Sequence, residues 1–503
     1  MRRDTAPDFT IIGEGNLGEK ARQLKDKTPS LKEIGFQVPH RTILAEGFFD
    51  GFLQRNGIGS RLSEVGGDVS VATRVLRGNL SAGDYSTLQD ISVGYGSAPL
   101  MVRSSAEGDA RGTGTYQSEL VENKPGFIRK GLQRVLASYF SESAVDFRRD
   151  AQTGEGFGVI VEPVVGQALT KTYEYGGHTT EFFAPVLSGF GYTSTLKGEG
   201  YVNAVLGLGG GVDNNDGLKI GRTDIEAVKG DLSEHMLNQR DSERWHDPWE
   251  RDKPQLLRRD GTGKAYHHPT KYQRRGSTYH QDMDLRKNED FQNLNVLPLF
   301  EMMAQMEGAF GSPQYFEWAM TLENSAAKFW MLQVADVNKR ADHMEFVDYG
   351  EVLFMAHTVT GTGIKDITKI ANCWNPDDIE ALNRFNQNNT DYALLYSSRL
   401  TTSFGVGRMR KLGYADFSNA SVFLEIQDAQ HVGSPVAHLG GQLDVTGKLF
   451  GVVDYEADVP PNWREFQAGE KIEDGIKVYE GQVKVVASEK QDKLIVYKQP
   501  EED

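Results

Sequence analysis

The sequence predicts an α+β protein that contains more than one domain. The chain has 503 residues, which is more than a single hydrophobic core usually organises. Apolar residues recur at helical spacing in some stretches, for example at Phe49, Phe52 and Leu53. Short runs of strand-forming residues next to glycine or proline occur in others, for example Tyr315–Met320. Because both patterns occur along the chain, we expect helices and strands in two to four domains.

The charge and composition restrict the possible ligands and the compartment. A formal net charge of −16 disfavours general binding to nucleic acid or to an anionic membrane. A bound nucleotide would then need a local positive site, with Mg²⁺ as its counter-charge. Cys373 is the single cysteine, so an internal disulfide is impossible and a reducing compartment is indicated. The chain shows no apolar signal-peptide run and no apolar run of 18 residues, so we expect a cytoplasmic protein without a membrane span.

The first element with a chemical signal is a glycine-rich turn that leads into a helix. Gly13, Gly15 and Gly18 precede a helix that is predicted to begin near Glu19. Such a turn exposes backbone N–H groups and directs the positive end of the helix dipole toward an anion. Lys20 lies in the first turn, where its ammonium group could reach a bound phosphate. The alternative is a plain loop with a solvated lysine, because glycine-rich matches are weak evidence alone.

The second signal is an arginine that follows a strand. Leu100, Met101 and Val102 form the predicted strand, and it leads into Arg103, two serines and a glycine-rich loop. An arginine beside hydroxyl groups and flexible backbone suits bidentate recognition of a phosphate. The alternative is an ion pair between Arg103 and a nearby carboxylate such as Glu107 or Asp109.

Further helices, strands and turns are predicted in the sequence between Arg103 and the hairpin described below. Helical spacing, runs of apolar residues and clusters of glycine distinguish them. They are a helix over Ile128–Arg149, a buried strand over Gly158–Val165, glycine-rich turns at Ser188–Thr193 and Gly207–Gly211, and a helix over residues 298–309.

Residues 239–282 differ in composition from the rest of the acidic chain. They contain ten Lys or Arg residues against seven Asp or Glu residues, together with several Trp and Tyr residues. We interpret them as an ordered insertion, a mobile lid, or a surface for an anionic acceptor or partner. His267 and His268 are a weak indication of a metal site, because adjacent side chains diverge and no third ligand is obvious.

A β-hairpin is predicted around Glu317 and Gln333. Its strands are Tyr315–Met320 and Lys328–Val337, separated by a break near Asn324. The hairpin therefore carries an acid and an amide on neighbouring strands. The alternative is a core hairpin with one stray polar residue on each strand.

A second unit is predicted after about Arg340. Residues 341–415 are interpreted as a linker or helical region, with a helix that buries Ile379, Leu382 and Phe385. Residues 416–503 are predicted to be rich in short strands. His438 follows a turn of small residues, and its alternative role is that of a structural histidine.

Several motifs follow one another in the order found in a known family. Residues 17–24 read LGEKARQL, which resembles GGKGxxL, and residues 101–109 read MVRSSAEGD, which resembles VRSSAxxED. Residues 310–320 and 331–337 read FGSPQYFEWAM and MLQVADV, which resemble FGxPQDIEWA and LLQxRP. Residues 433–438 read GSPVAH, which resembles GGxxSH. The chain thus resembles the phosphoenolpyruvate synthase and pyruvate phosphate dikinase family, to which rifampin phosphotransferase also belongs.

This resemblance implies a fold for each part of the chain. Residues 1–340 would form an ATP-grasp domain, in which two α+β lobes clamp ATP between sheets, with residues 239–282 as its insertion or lid. Residues 416–503 would form a smaller β-rich, swivelling phosphohistidine-like domain after the linker.

The resemblance also implies a role for each site residue, carried over by position. Lys20 and Arg103 would hold the phosphates, and Glu162 would lie on the adenine-side strand. Glu317 and Gln333 would hold Mg²⁺ against the polyphosphate, since oxygen ligands are what Mg²⁺ prefers. His438 would be the phosphocarrier, because a neutral imidazole is a suitable nucleophile toward a phosphoryl group.

Two departures from the family pattern put the nucleotide geometry in question. Gly210 stands where the family motif GLGE has its acid, and Ala335 and Asp336 follow where LQxRP has its arginine. The family's pyruvate-binding barrel is also missing from the sequence. The acceptor of the phosphoryl group would therefore be a small molecule or a protein, with a separate acceptor subunit as one possibility.

We expect an ATP- and Mg²⁺-dependent phosphotransferase that passes a phosphoryl group through His438 and releases AMP and phosphate. Two other functions stay open at this point. One is an ATP-grasp kinase or ligase that acts directly on a small acceptor and gives ADP. The other is a nucleotide-binding subunit without catalysis.

Overall fold

The computed structural model is a mixed α/β chain with several sheets. It describes residues 8–109, 115–172, 179–194, 200–206, 218–221, 257–259, 265–267, 271–274, 277–280, 296–323, 326–337, 346, 349–373, 378–397, 414–427, 446–454, 470–488, 491 and 493–499. Among the helices in these ranges, none is long and apolar enough to cross a membrane.

The first sheet, called the N-terminal sheet, has five strands in the order β1-β2-β5-β3-β4. Arg103 lies inside β3 rather than after it, because the strand runs on for four residues beyond Val102. The predicted buried strand is β5, and Glu162 is one residue from its end. The bounds are β1 Phe9–Ile12, β2 Arg41–Leu44, β3 Leu100–Ala106, β4 Ser118–Val121 and β5 Phe157–Pro163.

In the described part of the chain, seven helices accompany the N-terminal sheet. The first begins at Glu19, as predicted. The single helix predicted over Ile128–Arg149 is wrong, since two helices occupy this range. The chain turns at Ser141, whose side chain accepts a hydrogen bond from the Ala144 N–H at 3.2 Å and so begins a new helix. The bounds are α1 Glu19–Ile34, α2 Glu46–Arg55, α3 Leu62–Val65, α4 Val71–Arg77, α5 Ala82–Gly94, α6 Pro125–Tyr139 and α7 Glu142–Ala151.

The second sheet contains the predicted hairpin and is called the hairpin sheet. Its strands are antiparallel in the order β10-β9-β8-β15-β16, and the predicted helix over 298–309 packs beside it. The turn predicted at Ser188–Thr193 is wrong, because these residues lie almost entirely in β8. A Cβ atom at Gly189 would collide with the Asn203 carbonyl, so this glycine permits close strand approach. The bounds are β8 Leu187–Tyr192, β9 Tyr201–Leu206, β10 Leu218–Gly221, α8 Leu297–Phe310, β15 Gln314–Glu323 and β16 Ala326–Asp336.

Part of the basic and aromatic segment joins a small sheet. Its strand β11 pairs with β7, and the order of this sheet is β12-β11-β7-β6. The strands β13 and β14 form a separate antiparallel pair. Whether the segment acts as a lid stays a prediction. The bounds are β6 Gln167–Thr172, β7 Thr179–Ala184, β11 Leu257–Arg259, β12 Ala265–His267, β13 Lys271–Arg274 and β14 Ser277–His280.

The third sheet, called the C-terminal sheet, has eight strands in the order β18-β19-β20-β21-β17-β24-β23-β22. An additional pairing of β18 with β23 closes seven of them into a ring. The four strands from β18 to β21 run parallel, and the others are joined antiparallel. The bounds are β17 Glu351–Thr360, β18 Gly363–Cys373, α9 Asp378–Asn388, β19 Tyr392–Ser397, β20 Ala420–Gln427, β21 Leu449–Asp454, β22 Glu470–Glu473, β23 Ile476–Ser488 and β24 Lys493–Lys498.

The content of residues 341–415 differs from the predicted linker or helical region. Its described residues include β17, β18 and β19 as well as the predicted helix, now α9. These strands pair with strands from residues after 416, so both ranges contribute to one sheet. The sequence hides this because β18 buries Ile367 and Ile370 among lysines and an aspartate, which weakens its apolar signal. The domain boundaries themselves stay predictions.

One apolar core joins α1 to both of the first two sheets. It contains Ala21 and Leu24 of α1, Ile43 of β2, and Trp318 and Met331 of the hairpin. Backbone bonds connect the same regions, since Gln37 N–H donates to the Phe329 carbonyl at 2.8 Å. The N-terminal sheet and the hairpin sheet therefore share one core, and polar side chains from both sheets meet in the site described below.

Candidate functional site

The hairpin carries a β-bulge next to its two predicted ligands. Glu317 and Gln333 lie on neighbouring strands, as predicted. The register places them directly opposite each other, whereas Trp318 lies opposite Met331. Leu332 is thus the extra residue of the bulge, and it has no partner in this ladder. Its carbonyl oxygen accepts hydrogen bonds from two arginines of the N-terminal sheet, Arg41 at 3.2 Å and Arg103 at 3.5 Å.

Arg103 connects the N-terminal sheet to both hairpin side chains. Its Nη2 group contacts Glu317 Oε2 and donates to Gln333 Oε1 at 2.9 Å. Its Nη1 group makes a longer contact with Glu162 Oε1 at 3.4 Å. Arg103 therefore does pair with carboxylates, as the alternative expected. Its partners are not the two that were named, because Glu107 binds Arg22 and Asp109 binds Lys20. The described geometry therefore brings Arg103, Glu162, Glu317 and Gln333 together.

Neighbouring charges shift the pKa values of Glu317 and Arg103 in this site. Burial alone would raise the pKa of Glu317, but the positive charges of Arg103 and Lys20 outweigh it and leave that pKa below its usual value. Burial would lower the pKa of Arg103, and Glu317 and Glu162 together raise it above its usual value. At neutral pH both partners are therefore charged.

Lys20 lies at the edge of the same group. It is only 7% exposed, so the solvated-lysine alternative does not hold. Its Nζ is 2.8 Å from Asp109 Oδ1, and Ser104 donates to the other oxygen of Asp109 at 2.9 Å. Gly18 makes this approach possible, because it has a φ of +75° and a Cβ atom there would collide with the Ser105 carbonyl.

Arg41 is one residue of the site that sequence reasoning missed. It is fully buried, and its Nε donates to Glu162 Oε2 at 2.7 Å. Its Nη2 donates to the carbonyls of Met331 at 2.8 Å and Leu332. Burial lowers the pKa of Arg41, and the carboxylate of Glu162 opposes that effect. The available signal was an arginine at the start of a short strand, RTIL, whose other residues are uncharged, since a charge that is buried there requires a partner.

Tyr315 is a second residue that was missed. Its hydroxyl donates to Glu317 Oε1 at 3.3 Å, so both oxygens of Glu317 have partners. Burial and the nearby Glu317 charge raise the pKa of Tyr315 well above its usual value, so the phenol stays neutral.

A separate polar cluster lies one residue beyond the position of the missing family arginine, at Asp336. Ala335 is buried, and Asp336 forms an ion pair with Lys27 of α1 at 2.9 Å. Gln314 donates to Asp336 Oδ1 at 2.8 Å, and Lys27 donates to Gln314 Oε1 at 2.7 Å. Where the motif LQxRP has a cation on the hairpin, this chain instead has an ion pair and hydrogen bonds that connect the hairpin to α1.

The charges of the site balance one another. Three cations, Lys20, Arg41 and Arg103, face three carboxylates, Asp109, Glu162 and Glu317. A triphosphate would therefore enter a site without net positive charge and would need a further cation.

The side-chain oxygen atoms of the hairpin are of the kind that binds Mg²⁺, which could serve as this further cation. Glu317 and Gln333 supply carboxylate and amide oxygens, which are hard ligands. Within the described ranges no group of three or more His, Cys, Asp or Glu could hold a metal ion. The protein would thus offer only part of the coordination shell, and phosphates and water would supply the rest, as is usual for Mg²⁺.

Residues 80–346 match the family described as pyruvate phosphate dikinase, AMP/ATP-binding domain. The match covers more than half of the chain. The chain belongs to this family. No curated protein matches the chain.

Membership in the dikinase family supports an ATP-binding domain and ATP-dependent phosphotransferase chemistry of the phosphoenolpyruvate synthase and dikinase type. The matched residues include Arg103, Glu162, Glu317 and Gln333, whereas Lys20 and His438 lie outside them. His438 and Gly210 lie outside the described residues, as does the rest of the segment 207–217. The individual site roles and the relation to rifampin phosphotransferase stay predictions.

Proposed function

We propose that this protein is an ATP- and Mg²⁺-dependent phosphotransferase with a two-lobed ATP-grasp domain, in which ATP binds between the N-terminal sheet and the hairpin sheet. One observation carries the proposal. Residues that are more than 200 positions apart, Arg103 on one sheet and Glu317 and Gln333 on the other, meet in one hydrogen-bonded group. Such convergence of oxygen ligands and a guanidinium suits the positioning and charge neutralisation on which phosphoryl transfer depends.

Each residue has a role in this proposal. Arg103 and Lys20 bind the phosphates, and Glu317 and Gln333 hold Mg²⁺. When bound, Mg²⁺ neutralises charge on the polyphosphate oxygens. Glu162 has both oxygens engaged by Arg41 and Arg103, so we assign it to holding these guanidinium groups on the adenine-side strand.

The carrier step uses His438. Its imidazole takes the β-phosphoryl group, water takes the γ-phosphoryl group as phosphate, and AMP is released. The C-terminal unit, with its ring-shaped sheet, then acts as the swivelling domain that brings the phosphohistidine to an acceptor. The acceptor is a small molecule or a protein, either on this chain or on a separate subunit.

The test follows the label of [β-³²P]ATP in the full chain. We expect labelled protein and AMP from the wild type, and no labelled protein from His438→Ala. His40→Ala is the matched control, because His40 lies in the N-terminal part, where it forms a hydrogen bond with Thr10 and its ring contacts Tyr95, and it should keep the label.

Three results would redirect the proposal. A β-label that persists in His438→Ala would show that the carrier is another residue. ADP without labelled protein would favour a kinase or ligase that acts directly on its acceptor. Nucleotide binding with neither product would favour a non-catalytic nucleotide-binding subunit.

A further inference from the structure

A single nitrogen of Arg103 engages both predicted metal ligands. Nη2 contacts Glu317 Oε2 and lies 2.9 Å from Gln333 Oε1, so one positively charged group bridges the carboxylate and the amide oxygen. A Mg²⁺ ion bound by the same two side chains would use these oxygens. The guanidinium therefore has the contacts that the metal would need.

Metal and guanidinium cannot share these contacts. Both are cations, and their repulsion at close range in a buried site is far stronger than in water. The described site is already neutral without a metal, so metal entry would leave it with an excess of two positive charges. A nucleoside triphosphate that enters with the metal brings negative charge, which removes this excess.

Arg103 has a second set of hydrogen-bond acceptors available when the metal binds. Its Nη1 group already lies 3.4 Å from Glu162 Oε1 and 3.5 Å from the Leu332 carbonyl, and these contacts have room to shorten. Arg41 holds the other oxygen of Glu162 at 2.7 Å, which keeps this carboxylate in position. A small rotation of the guanidinium would thus free Glu317 and Gln333 without leaving the charge of Arg103 unpaired.

We infer that Arg103 occupies the metal position of the nucleotide-free protein, and that the divalent cation enters together with the nucleotide rather than before it. This inference rests on the proposed function. In the free protein Arg103 satisfies the two metal ligands, and in the loaded protein it turns toward Glu162 and the phosphates.

The test measures Mn²⁺ binding to the full chain without nucleotide, by the electron paramagnetic resonance signal of free Mn²⁺. We expect weak binding by the wild type and at least tenfold tighter binding by Arg103→Gln, because the exchange frees Glu317 and removes a repelling charge. Arg103→Gln with Glu317→Gln should lose that gain. Arg22→Gln is the matched control, since Arg22 pairs with Glu107 away from the hairpin, and it should bind Mn²⁺ as the wild type does.

A second measurement tests the inference about Arg103 even if the Arg103→Gln variant does not fold. In the wild-type background, Glu317→Gln should leave the nucleotide-free Mn²⁺ affinity unchanged, because Glu317 is engaged by Arg103. A loss of affinity in this variant, or an unchanged affinity in folded Arg103→Gln, would overturn the inference. Binding of labelled ATP by the wild type, measured separately, reports on the proposed function, so the failure of one is distinguishable from the failure of the other.

Discussion

Glu317 shows how one residue can stay charged inside a mostly buried site. Desolvation disfavours its carboxylate, but Arg103, Lys20 and the hydroxyl of Tyr315 stabilise the charged form. Because the pKa of Glu317 in the folded protein is below its usual value of 4.5, its charge stabilises the fold. This contribution is fully present above the pKa of the unfolded chain and is lost as the pH falls through the pKa of the folded protein.

We predict that the stability effect of Glu317→Gln depends on pH. At pH 7 the exchange should lower the free energy of unfolding by about 2 kcal/mol, the usual contribution of a hydrogen bond to a charged group. As the pH falls through the pKa of Glu317 in the folded protein, the difference should shrink toward zero, because Glu317 itself becomes protonated. Urea unfolding in a series from pH 7 downward measures this, and Glu301→Gln on the exposed side of α8 is the control. A difference that grows in acid would contradict the assignment.

At the scale of elements, β2 and β16 are connected by side chains rather than by a strand ladder. Arg41 begins β2, and it bonds to Glu162 on β5 and to the carbonyls of Met331 and Leu332 on β16. The bulge of the hairpin leaves the Leu332 carbonyl available for these bonds. A charged residue at the start of a buried strand thus connects the N-terminal sheet to the hairpin sheet.

We predict that Arg41→Met destabilises the protein by about 3 kcal/mol, because Glu162 then keeps a buried charge with only the long Arg103 contact. Adding Glu162→Gln to this variant should recover part of the loss, since no carboxylate then remains unpaired. Chemical denaturation of the two variants and the wild type measures both effects. A double variant that is less stable than Arg41→Met would show that the pair is not the source of the loss.

At the scale of the whole molecule, the C-terminal sheet packs on α7 of the N-terminal part. Phe147 of α7 is fully buried in a cluster with Phe385, Tyr396 and Phe417. Two polar contacts surround it: the Ala415 N–H donates to Ser143 Oγ at 3.3 Å, and Lys448 Nζ lies 3.5 Å from an Asp150 oxygen. The proposed swivelling motion would therefore have to separate this apolar contact or carry α7 with it.

We predict that Phe147→Ala uncouples the two parts. The cavity should cost about 3 kcal/mol of unfolding free energy, and the C-terminal part should unfold in a separate, earlier transition. Differential scanning calorimetry measures both. Phe127→Ala is the control, because Phe127 on α6 is 42% exposed and should leave a wild-type trace. A single unshifted transition for Phe147→Ala would mean that this contact does not hold the parts together.

Local sequence signals predicted the elements of the site well. The hairpin, with Glu317 and Gln333 on neighbouring strands, was predicted and is confirmed, because turn residues and strand-forming residues define both strands without reference to the rest of the chain. The start of α1 at Glu19 is confirmed for the same kind of reason. The errors arose where local signals were ambiguous: glycines in β8 serve close strand packing rather than a turn, and β18 is amphipathic and rich in charge.

By itself, the sequence determined which residue types the protein has for phosphate and metal chemistry and where along the chain they stand, because these depend on short motifs. Only the tertiary structure decided which charge meets which. It pairs Asp109 with Lys20, leaves Glu107 to Arg22, and places the unpredicted Arg41 on Glu162. The physical reason is that each ion pair joins elements that are distant in sequence. Which residues meet depends on how the two sheets pack against one apolar core.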